Sequence, residues 1–286
     1  MSNMRNSRGP SEPIADRYDD HAALETEVGS RLLERTTFKR KAPEYILDLG
    51  CGTGTASASL KQQFRKARVI GMDRSLGMLT KLLRRSGMLK PLRAVCGDLA
   101  ALPFATRSTD MLFSNLAVYW CPDPVTMFSE FRRVLRPDGM LLFSTLGPST
   151  LRELRAACSR LDASVEWPQF PDLMEVGDAL MSAGFREPVM DMEMIVLNYP
   201  DIDSMLTELQ VTGNSRLIQG WDDVRRAGGK LQDAWEPITS DDTFSLSFEI
   251  VYGVAFGPQD GQPVKTRDGD VATFPVESLR RRRKVP

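Results

Sequence analysis

The sequence predicts an α/β fold built on a doubly wound, mostly parallel sheet. Between residues 45 and 145, five short apolar strand patterns alternate with helical patterns, as parallel strands joined by crossover helices require. A turn with glycine at every second position, Gly50, Gly52 and Gly54, directly follows the first strand. Polar residues follow several strands, at the edge of the sheet where ligands bind in such folds. Together these observations predict a ligand site at the carboxyl ends of the strands.

The bulk composition fits one large domain and gives no sign of several classes of partner. The chain has 286 residues and a formal net charge of −1, so its charge gives no reason to expect nucleic acid or an anionic membrane as a partner. No apolar run reaches the roughly 20 residues that a membrane-spanning helix needs. The four cysteines are too far apart in sequence for a C-x-x-C pair or a metal clip. We therefore expect a reduced, cytoplasmic protein without a metal.

The N-terminal region combines a polar tail with a helical pattern. Residues 1–13 are polar and are expected to be disordered. From residue 14 to residue 33, apolar side chains such as Ile14, Tyr18 and Leu24 recur at helical spacing, with Glu and Arg on the opposite face. This pattern predicts a helix ahead of the first strand.

The core elements follow in order along the chain. The strands are predicted over 45–49, 68–72, 92–96, 111–114 and 140–145, each a short apolar run. The helices are predicted from the glycine turn to about 64, over 76–83, and over 125–135 with one apolar stripe. This alternation is the pattern of repeated strand–helix–strand units.

After residue 150 the pattern predicts more helices and two late strands. Helices are expected over 151–161, 173–183, 202–210 and 222–235, and strands over 189–199 and 244–256. Two of the helices therefore lie between the two late strands, and we interpret about 200–240 as a lid rather than a separate domain. Residues 14–256 then form a single domain, and 257–286 are expected to be a flexible tail.

The glycine turn favours one cofactor class over another. Dinucleotide enzymes use G-x-G-x-x-G, whereas this chain has G-x-G-x-G, with Ala56 six residues after Gly50. Asp73 ends the second strand, where a carboxylate can accept hydrogen bonds from ribose hydroxyls, and Asp98 follows the third, within reach of an adenine amino group. Acids around a pyrophosphate are unfavourable, but acids around a sulfonium and an ammonium are favourable. The pattern therefore favours S-adenosylmethionine (SAM) over NAD.

The candidate cofactor residues all lie at or near strand ends. For any one aspartate the alternative interpretation is a helix cap or a turn residue, but three acids at successive strand ends weaken that interpretation. The full set consists of Asp48, Gly50, Cys51, Gly52, Gly54, Asp73, Arg74, Asp98, Leu99 and Asn115.

Several of these residues belong to motifs that resemble a known family. The sequences D-L-G-C-G-T-G (48–54), G-D-L (97–99) and L-R-P-D-G (135–139), with the strand-end Asp73, resemble those of class I SAM-dependent methyltransferases. The resemblance covers the order of elements from about 14 to 146. It implies a Rossmann-like sheet of seven strands, with SAM as the cofactor.

A narrower resemblance covers more of the chain. The segments Y-D-D-H-A (18–22), S-N-L-A-V-Y-W-C (114–121), F-S-T-L-G-P-S-T-L-R-E-L-R-A-A (143–157) and F-E-I-V-Y-G-V-A-F-G-P (248–258) resemble the malonyl-acyl-carrier-protein O-methyltransferases of biotin synthesis, the BioC type. This resemblance implies that SAM methylates the free carboxylate of a malonyl thioester carried on acyl carrier protein. The methyl ester lets fatty-acid synthesis extend the chain towards pimelate and biotin.

Methyl transfer to a carboxylate needs alignment rather than a general base, because the carboxylate is already ionised at pH 7. Tyr18 and His21, on one face of the N-terminal helix, are the candidate catalytic residues. Tyr119 and Trp120 are candidate aromatic walls, since a cation over an aromatic face is stabilised. Arg152 and Arg155 are candidates to bind the malonyl carboxylate by a bidentate pair. For each of these residues, packing or a solvated face is the alternative.

Other assignments remain open from the sequence. The substrate is malonyl-acyl carrier protein or malonyl-CoA, and the protein is expected to be a monomer. Basic residues on the lid suggest a docking patch for an acidic carrier protein. Alternatives are a methyltransferase with another small or quinone-like acceptor, a complex I assembly factor with a protein client, and a SAM-binding scaffold without activity. The proposed docking residues are Arg216, Arg225, Arg226 and Lys230.

Overall fold

A seven-stranded sheet organises the chain. The computed structural model describes residues 12–39, 41–87, 91–161, 165–236 and 243–257, together with 259, 264–266 and 269–271. The strands of the sheet are β1 (Tyr45–Leu49), β2 (Arg68–Asp73), β3 (Arg93–Cys96), β4 (Thr109–Ser114), β5 (Leu135–Leu146), β6 (Arg186–Tyr199) and β7 (Phe244–Phe256).

The strand order confirms the predicted doubly wound fold. The order is β3-β2-β1-β4-β5-β7-β6, in which β1 to β5 pair in parallel and β7 runs antiparallel to both β5 and β6. From β1 to β3 the strands are added towards one edge of the sheet, and from β4 onwards they are added on the other side of β1. The position between β1 and β4 is therefore the topological switch point, where such folds bind ligands. The predicted position of the ligand site therefore coincides with this switch point.

Nine α-helices are present in the part of the chain that the structure describes, and they flank the sheet. They are α1 (Glu12–His21), α2 (Ala23–Glu34), α3 (Thr55–Gln63), α4 (Leu76–Arg85), α5 (Pro124–Val134), α6 (Arg152–Arg160), α7 (Leu173–Ser182), α8 (Ile202–Thr212) and α9 (Trp221–Ala234).

The core has one apolar cluster on each face of the sheet, because successive residues of a strand point to opposite faces. Ile46 of β1 belongs to the cluster that contains Val28 and Leu32 of α2. Its neighbour Leu47 belongs to the other cluster, with Phe128 of α5. The short strand β1 is thus covered on both faces and holds the glycine turn in a fixed position.

The N-terminal helical pattern forms two helices rather than one continuous helix. The backbone leaves the helical conformation at Ala22, where φ is −97° and ψ is 45°. The helical pattern is interrupted there, and the two helices pack against different parts of the protein. α1 is tied to α4 by the ion pairs Asp16–Lys81 and Asp19–Arg85. α2 instead packs its apolar stripe, with Val28 at its centre, into the core.

The lid segment predicted at about 200–240 contains α8, a short 3-10 helix (Asn214–Leu217) and α9, and it lies between β6 and β7. Within the expected C-terminal tail, β8 (Val264–Thr266) pairs antiparallel with β9 (Gly269–Val271). The rest of that tail and residues 1–11 lie outside the described residues. None of the described helices has the length and apolarity that crossing a membrane would require.

Candidate functional site

A cavity of about 380 Å³ opens at the carboxyl ends of the parallel strands. Its wall combines the glycine turn, α1, α2, the loops after β2, β3 and β4, and the lid. Of the residues predicted as cofactor, catalytic or substrate residues, the cavity wall includes Tyr18, Asp48, Gly50, Cys51, Gly52, Asp73, Arg74, Leu99, Asn115, Tyr119 and Trp120.

The glycine turn is held by backbone hydrogen bonds to the next strand. The amides of Gly50 and Cys51 donate to the carbonyl oxygen of Met72, at 2.8 and 3.0 Å. Gly50, Gly52 and Gly54 all have positive φ, at 73°, 54° and 85°, which is the reason why glycine occupies each position. Gly54 is not on the cavity wall. A Cβ there would lie 2.7 Å from Cγ of Leu82. Its absent side chain therefore serves helix packing.

Gly50 and Gly52 serve different purposes. A Cβ on Gly50 would lie 2.2 Å from Cβ of Ala117, so this glycine permits close packing of two loops. A Cβ on Gly52 would meet no atom within 4 Å. Since Gly52 lies on the cavity wall, its missing side chain leaves the backbone open to a ligand.

We expect Gly50→Ala and Gly52→Ala to differ in stability. Gly50→Ala adds a steric clash to the left-handed strain and should lower the free energy of unfolding by about 2–5 kcal/mol. Gly52→Ala adds only the strain, about 1–2 kcal/mol. Denaturant unfolding of the two variants measures both values. Equal losses in the two variants would contradict the assigned contact with Ala117.

Two acids, the buried Asp48 and the partly exposed Asp73, make hydrogen bonds at or next to the turn. Asp73 accepts the amide of Gly52 at 3.0 Å and the amide of Ser75 at 2.8 Å. Asp48 is 1% exposed and accepts a hydrogen bond from the hydroxyl of Ser57. Burial raises the pKa of Asp48 to about 7, and it also raises the pKa of Asp73. The site therefore holds carboxyl groups whose charge a cationic ligand would stabilise.

The third predicted acid is at the rim. The Asp98 side chain is half exposed, accepts the amide of Ala100 at 2.9 Å and pairs with Arg74 at 3.8 Å. Asp98 is not on the cavity wall, whereas its neighbours Gly97 and Leu99 are. A contact between Asp98 and a ligand is therefore expected at the mouth of the cavity only.

Asn115 connects the end of β4 to α2. Its side-chain amide donates to the carbonyl oxygen of Glu25 at 2.8 Å, and its own oxygen accepts the hydroxyl of Ser144 at 2.8 Å. The Ser144 hydroxyl in turn accepts the amide of Leu116 at 2.9 Å. This chain of bonds fixes the loop after β4, in which Leu116 has a φ of 48°.

The candidate catalytic residues Tyr18 and His21 separate. Tyr18 lies on the cavity wall, and burial raises the pKa of its phenol well above 10, so the phenol stays neutral. α1 is held in place beside the turn because the hydroxyl of Thr53 donates to Asp19 at 2.6 Å. His21 is not on the wall and instead contacts Arg17 at 3.4 Å.

Tyr119 and Trp120 join the cavity to the lid. The ring centroids of the two residues are 5.2 Å apart, and the hydroxyl of Tyr119 donates to Oδ1 of Asn214 at 3.0 Å. Thr212 and Gly213 complete this part of the wall. The predicted aromatic wall is therefore also the contact surface of the lid.

The candidate substrate arginines Arg152 and Arg155 are not on the cavity wall. Arg152 is about half exposed and pairs with Glu153 at 2.7 Å. Arg155 donates to the carbonyl oxygen of Pro168 at 3.1 Å, and its guanidinium lies 5.6 Å from the ring centroid of Trp167. Arg152 thus pairs within α6, and Arg155 contacts the segment that follows α6, so neither arginine is among the residues that line the cavity.

Glu25 and Arg216 are site residues that the sequence did not single out for this cavity. Glu25 of α2 lines the wall, and so does Arg216 of the lid. From the sequence, Arg216 was only one of several cations of the predicted lid, and Glu25 was part of a polar helix face. Glu25 reaches the cavity because the chain changes direction at Ala22, between α1 and α2. No pattern in the sequence marks this change.

Comparison with known proteins shows which family the chain is similar to. A methyltransferase domain model matches residues 47–143. The chain is 39% identical over 254 residues to malonyl-acyl-carrier-protein O-methyltransferase of Methylovorus, covering 86% of each chain. It is 36% identical over 275 residues to the protein with the same name in Xylella fastidiosa, covering 94% of this chain and 93% of the relative.

Solved structures share the fold at low sequence identity. The YcgJ protein of Bacillus subtilis is 16% identical, with a TM-score of 0.57 over 81% of this chain and 98% of its own. Phosphoethanolamine N-methyltransferase 2 of Haemonchus contortus, solved with SAM, is 19% identical, with a TM-score of 0.54 over 87% of this chain and 58% of its own. These two similarities concern the fold alone.

Proposed function

Because the chain belongs to the family of malonyl-acyl-carrier-protein O-methyltransferases, which are SAM-dependent enzymes, we propose that it methylates the free carboxylate of a malonyl thioester on acyl carrier protein. The product is a methyl ester, which is formed at an early step of biotin synthesis. One observation supports this most directly. The cavity wall contains both the glycine turn, which suits a nucleoside ligand, and the lid residue Arg216, which suits a carboxylate.

The residues around the turn fit SAM. The backbone at Gly52 is open to a ligand, and Asp73 at the end of β2 is placed to accept ribose hydroxyls. Leu99 and Asn115 extend this wall past the ends of β3 and β4. SAM supplies a methyl group on a positively charged sulfur, and the acids of the wall favour that charge.

The proposed reaction needs no general base, because the acceptor carries no proton that must be removed. A malonyl carboxylate is ionised at pH 7, since carboxyl groups titrate near pH 4. Tyr18 keeps its proton and, with Tyr119 and Trp120, forms an apolar wall that excludes water. Alignment of the reacting groups in such a wall accounts for about 7–11 kcal/mol of barrier lowering in well-oriented reactions. We therefore assign Tyr18 to positioning, and we assign no proton transfer to His21.

Arg216 is the cation that we assign to the malonyl carboxylate. It lies on the 3-10 helix of the lid and on the cavity wall, and its backbone amide donates to the carbonyl oxygen of Gly213 at 2.9 Å. A guanidinium binds a carboxylate through two parallel hydrogen bonds and leaves the outer lone pairs available for attack on a methyl group. Arg152 and Arg155 do not have this position.

We propose that the malonyl group is carried on acyl carrier protein, because the names of the relatives specify that carrier.

Within the lid, the basic residues of α9 alternate with acids. Arg226 pairs with Asp223, and Arg225 donates to Gln210. This helix is therefore not a uniformly positive docking face. We propose a cytoplasmic location, because all four cysteines are free thiols, and we propose that the protein is a monomer.

Transfer of labelled methyl groups tests the proposal. The protein is incubated with methyl-labelled SAM and, in separate reactions, malonyl-acyl carrier protein, malonyl-CoA or a quinol. We expect label on malonyl-acyl carrier protein as a base-labile ester, and none on the quinol. Transfer to the quinol, or binding of SAM without transfer to any malonyl thioester, would refute the proposed reaction. Acetyl-acyl carrier protein, which lacks the free carboxylate, is the matched control.

A further inference from the structure

Glu25 has a carboxyl group that the proposed reaction does not use. It lies on α2 and on the cavity wall. Its Oε2 atom is buried and has no hydrogen-bond partner among the residues that the structure describes. A buried polar atom without a partner is unfavourable, so such an atom on a cavity wall indicates a ligand that will contact it.

The other acids of the cavity wall already have protein partners. Asp19 accepts the hydroxyl of Thr53 and pairs with Arg85. Asp48 accepts the hydroxyl of Ser57. Asp73 accepts two backbone amides, which hold the glycine turn. In the described part of the wall, Glu25 is therefore the carboxyl with a buried oxygen left for a ligand.

We propose that Glu25 distinguishes SAM from its product S-adenosylhomocysteine by the charge on sulfur. SAM carries a sulfonium, whereas the product carries a neutral thioether, because the electron pair of the broken carbon–sulfur bond stays on sulfur. An ionised Glu25 attracts the positively charged sulfonium, and it has no such electrostatic attraction to the neutral thioether. This inference rests on the SAM site proposed above and adds a device that favours product release.

Glu25 can change its charge in the required pH range. Burial, with the nearby Glu208, raises the pKa of Glu25 to about 7. A sulfonium in the cavity would lower that pKa, because an opposite charge favours the ionised form. SAM binding then releases a proton from Glu25 near neutral pH. After methyl transfer, Glu25 takes a proton back from solvent.

Other titratable groups face Glu25 and must be separated from it. Tyr18 of α1 and Tyr119 after β4 have pKa values raised further above 10 by burial, so they do not titrate here. Glu208 of α8 accepts the hydroxyl of Tyr199 at 2.7 Å, and burial raises its pKa. Other ionisable groups share the cavity wall with Glu25, and His21 faces Glu208. Those on the wall are Asp19, Asp48, Asp73, Arg74 and Arg216.

The sign of the pH dependence follows from these values. Below the pKa of the complex, Glu25 is protonated with and without SAM, so its contribution to affinity is absent. Between that pKa and about 7, the affinity for SAM rises with pH, by about tenfold for each unit by which SAM lowers the pKa. Above about 7 the contribution is constant. S-adenosylhomocysteine should show little of this rise.

Calorimetry of cofactor binding tests the inference without any catalytic assay. SAM and S-adenosylhomocysteine are titrated at about pH 6.5 in two buffers with different protonation enthalpies, which gives the number of protons released. We expect the wild-type protein to release more protons with SAM than with the product. Glu25→Gln should abolish that difference and reduce the SAM-to-product affinity ratio about tenfold. The matched control is Glu27→Gln, on the same helix but exposed and paired with Arg31.

Three outcomes would overturn the inference. The first is equal proton release with both ligands in the wild-type protein, which needs no variant and so does not depend on the folding of Glu25→Gln. The second is an equal loss of both affinities in Glu25→Gln, which would assign Glu25 to the shape of the site. The third is a persisting difference in Glu25→Gln that disappears in Glu208→Gln or Asp48→Asn. Failure of the wild-type protein to bind SAM at all would instead refute the cofactor assignment.

Discussion

Replacement of Asp73 by asparagine is expected to lower the affinity for SAM and for S-adenosylhomocysteine about a hundredfold or more. The ribose, which both ligands share, loses a charged acceptor, and hydrogen bonds to a charged group contribute about 1.5–3 kcal/mol each. The amides of Gly52 and Ser75 also lose their charged acceptor, which loosens the glycine turn. Calorimetric titration of both ligands measures the effect.

Two comparisons make this prediction specific. Asp98→Asn changes an acid that is half exposed at the rim, and it should lower both affinities by less than about tenfold. Asp73→Asn should leave the ratio of the two affinities unchanged, in contrast to Glu25→Gln. Unchanged binding of SAM by Asp73→Asn, in a protein that melts normally, would show that the cofactor site is wrongly placed.

Replacement of Arg216 by glutamine should reduce kcat/KM for the malonyl substrate about 10- to 150-fold. The lost contact is a charge-assisted pair with the substrate carboxylate, of about 1.5–3 kcal/mol. Glutamine retains much of the length of the side chain but carries no charge. The affinity for SAM should change much less, because the glycine turn and Asp73 remain intact. Steady-state kinetics with both substrates varied separates the two effects.

Arg155→Ala is the control for Arg216→Gln. The sequence indicated Arg155 as a substrate residue, but its guanidinium lies over Trp167 and donates to Pro168. The variant should therefore affect stability more than KM for the malonyl substrate. If Arg155→Ala raises that KM as strongly as Arg216→Gln, the lid arginine is not the carboxylate ligand.

The sheet could be predicted because its signals are local. Strand β1 is a short apolar run ending at the glycine turn, and the predicted range 45–49 is the range in the structure. Strand β7 (Phe244–Phe256) also begins and ends as predicted. Strands β4 and β5 begin earlier than predicted, at Thr109 and Leu135, because their first residues pair across the sheet without forming an apolar run.

Several residues predicted to bind the cofactor line one cavity, and their sequence signals are also local. The positive φ of Gly50 and Gly52 is a demand that few residues other than glycine meet, so it is visible in the sequence. Asp73 follows a recognisable strand and lies where parallel strands place ligands. Asp98 has the predicted position in the chain but is directed to the rim.

The positions of Glu25 and of Arg216, the residue proposed for the acceptor, could not be derived in this way because they depend on tertiary packing. Arg216 and Glu25 meet at one cavity although the whole core separates them in sequence. The direction of α2, and with it the position of Glu25, follows from the break at Ala22, where no glycine or proline marks the change. Arg155 has a suitable residue type on a suitable helix, but its guanidinium lies against the ring of Trp167 and is not on the cavity wall.

The connection of the lid has a consequence for how acceptor choice can change. Tyr199 at the end of β6 and Phe244 at the start of β7 are paired, so the lid leaves and rejoins the sheet at one point. Lengthening a connection with fixed ends costs little, about 0.6 kcal/mol for each doubling. The lid is thus an insertion at the end of the hairpin that β6 and β7 form. Mutation and recombination can exchange it for a different acceptor without disturbing the strands that hold the cofactor.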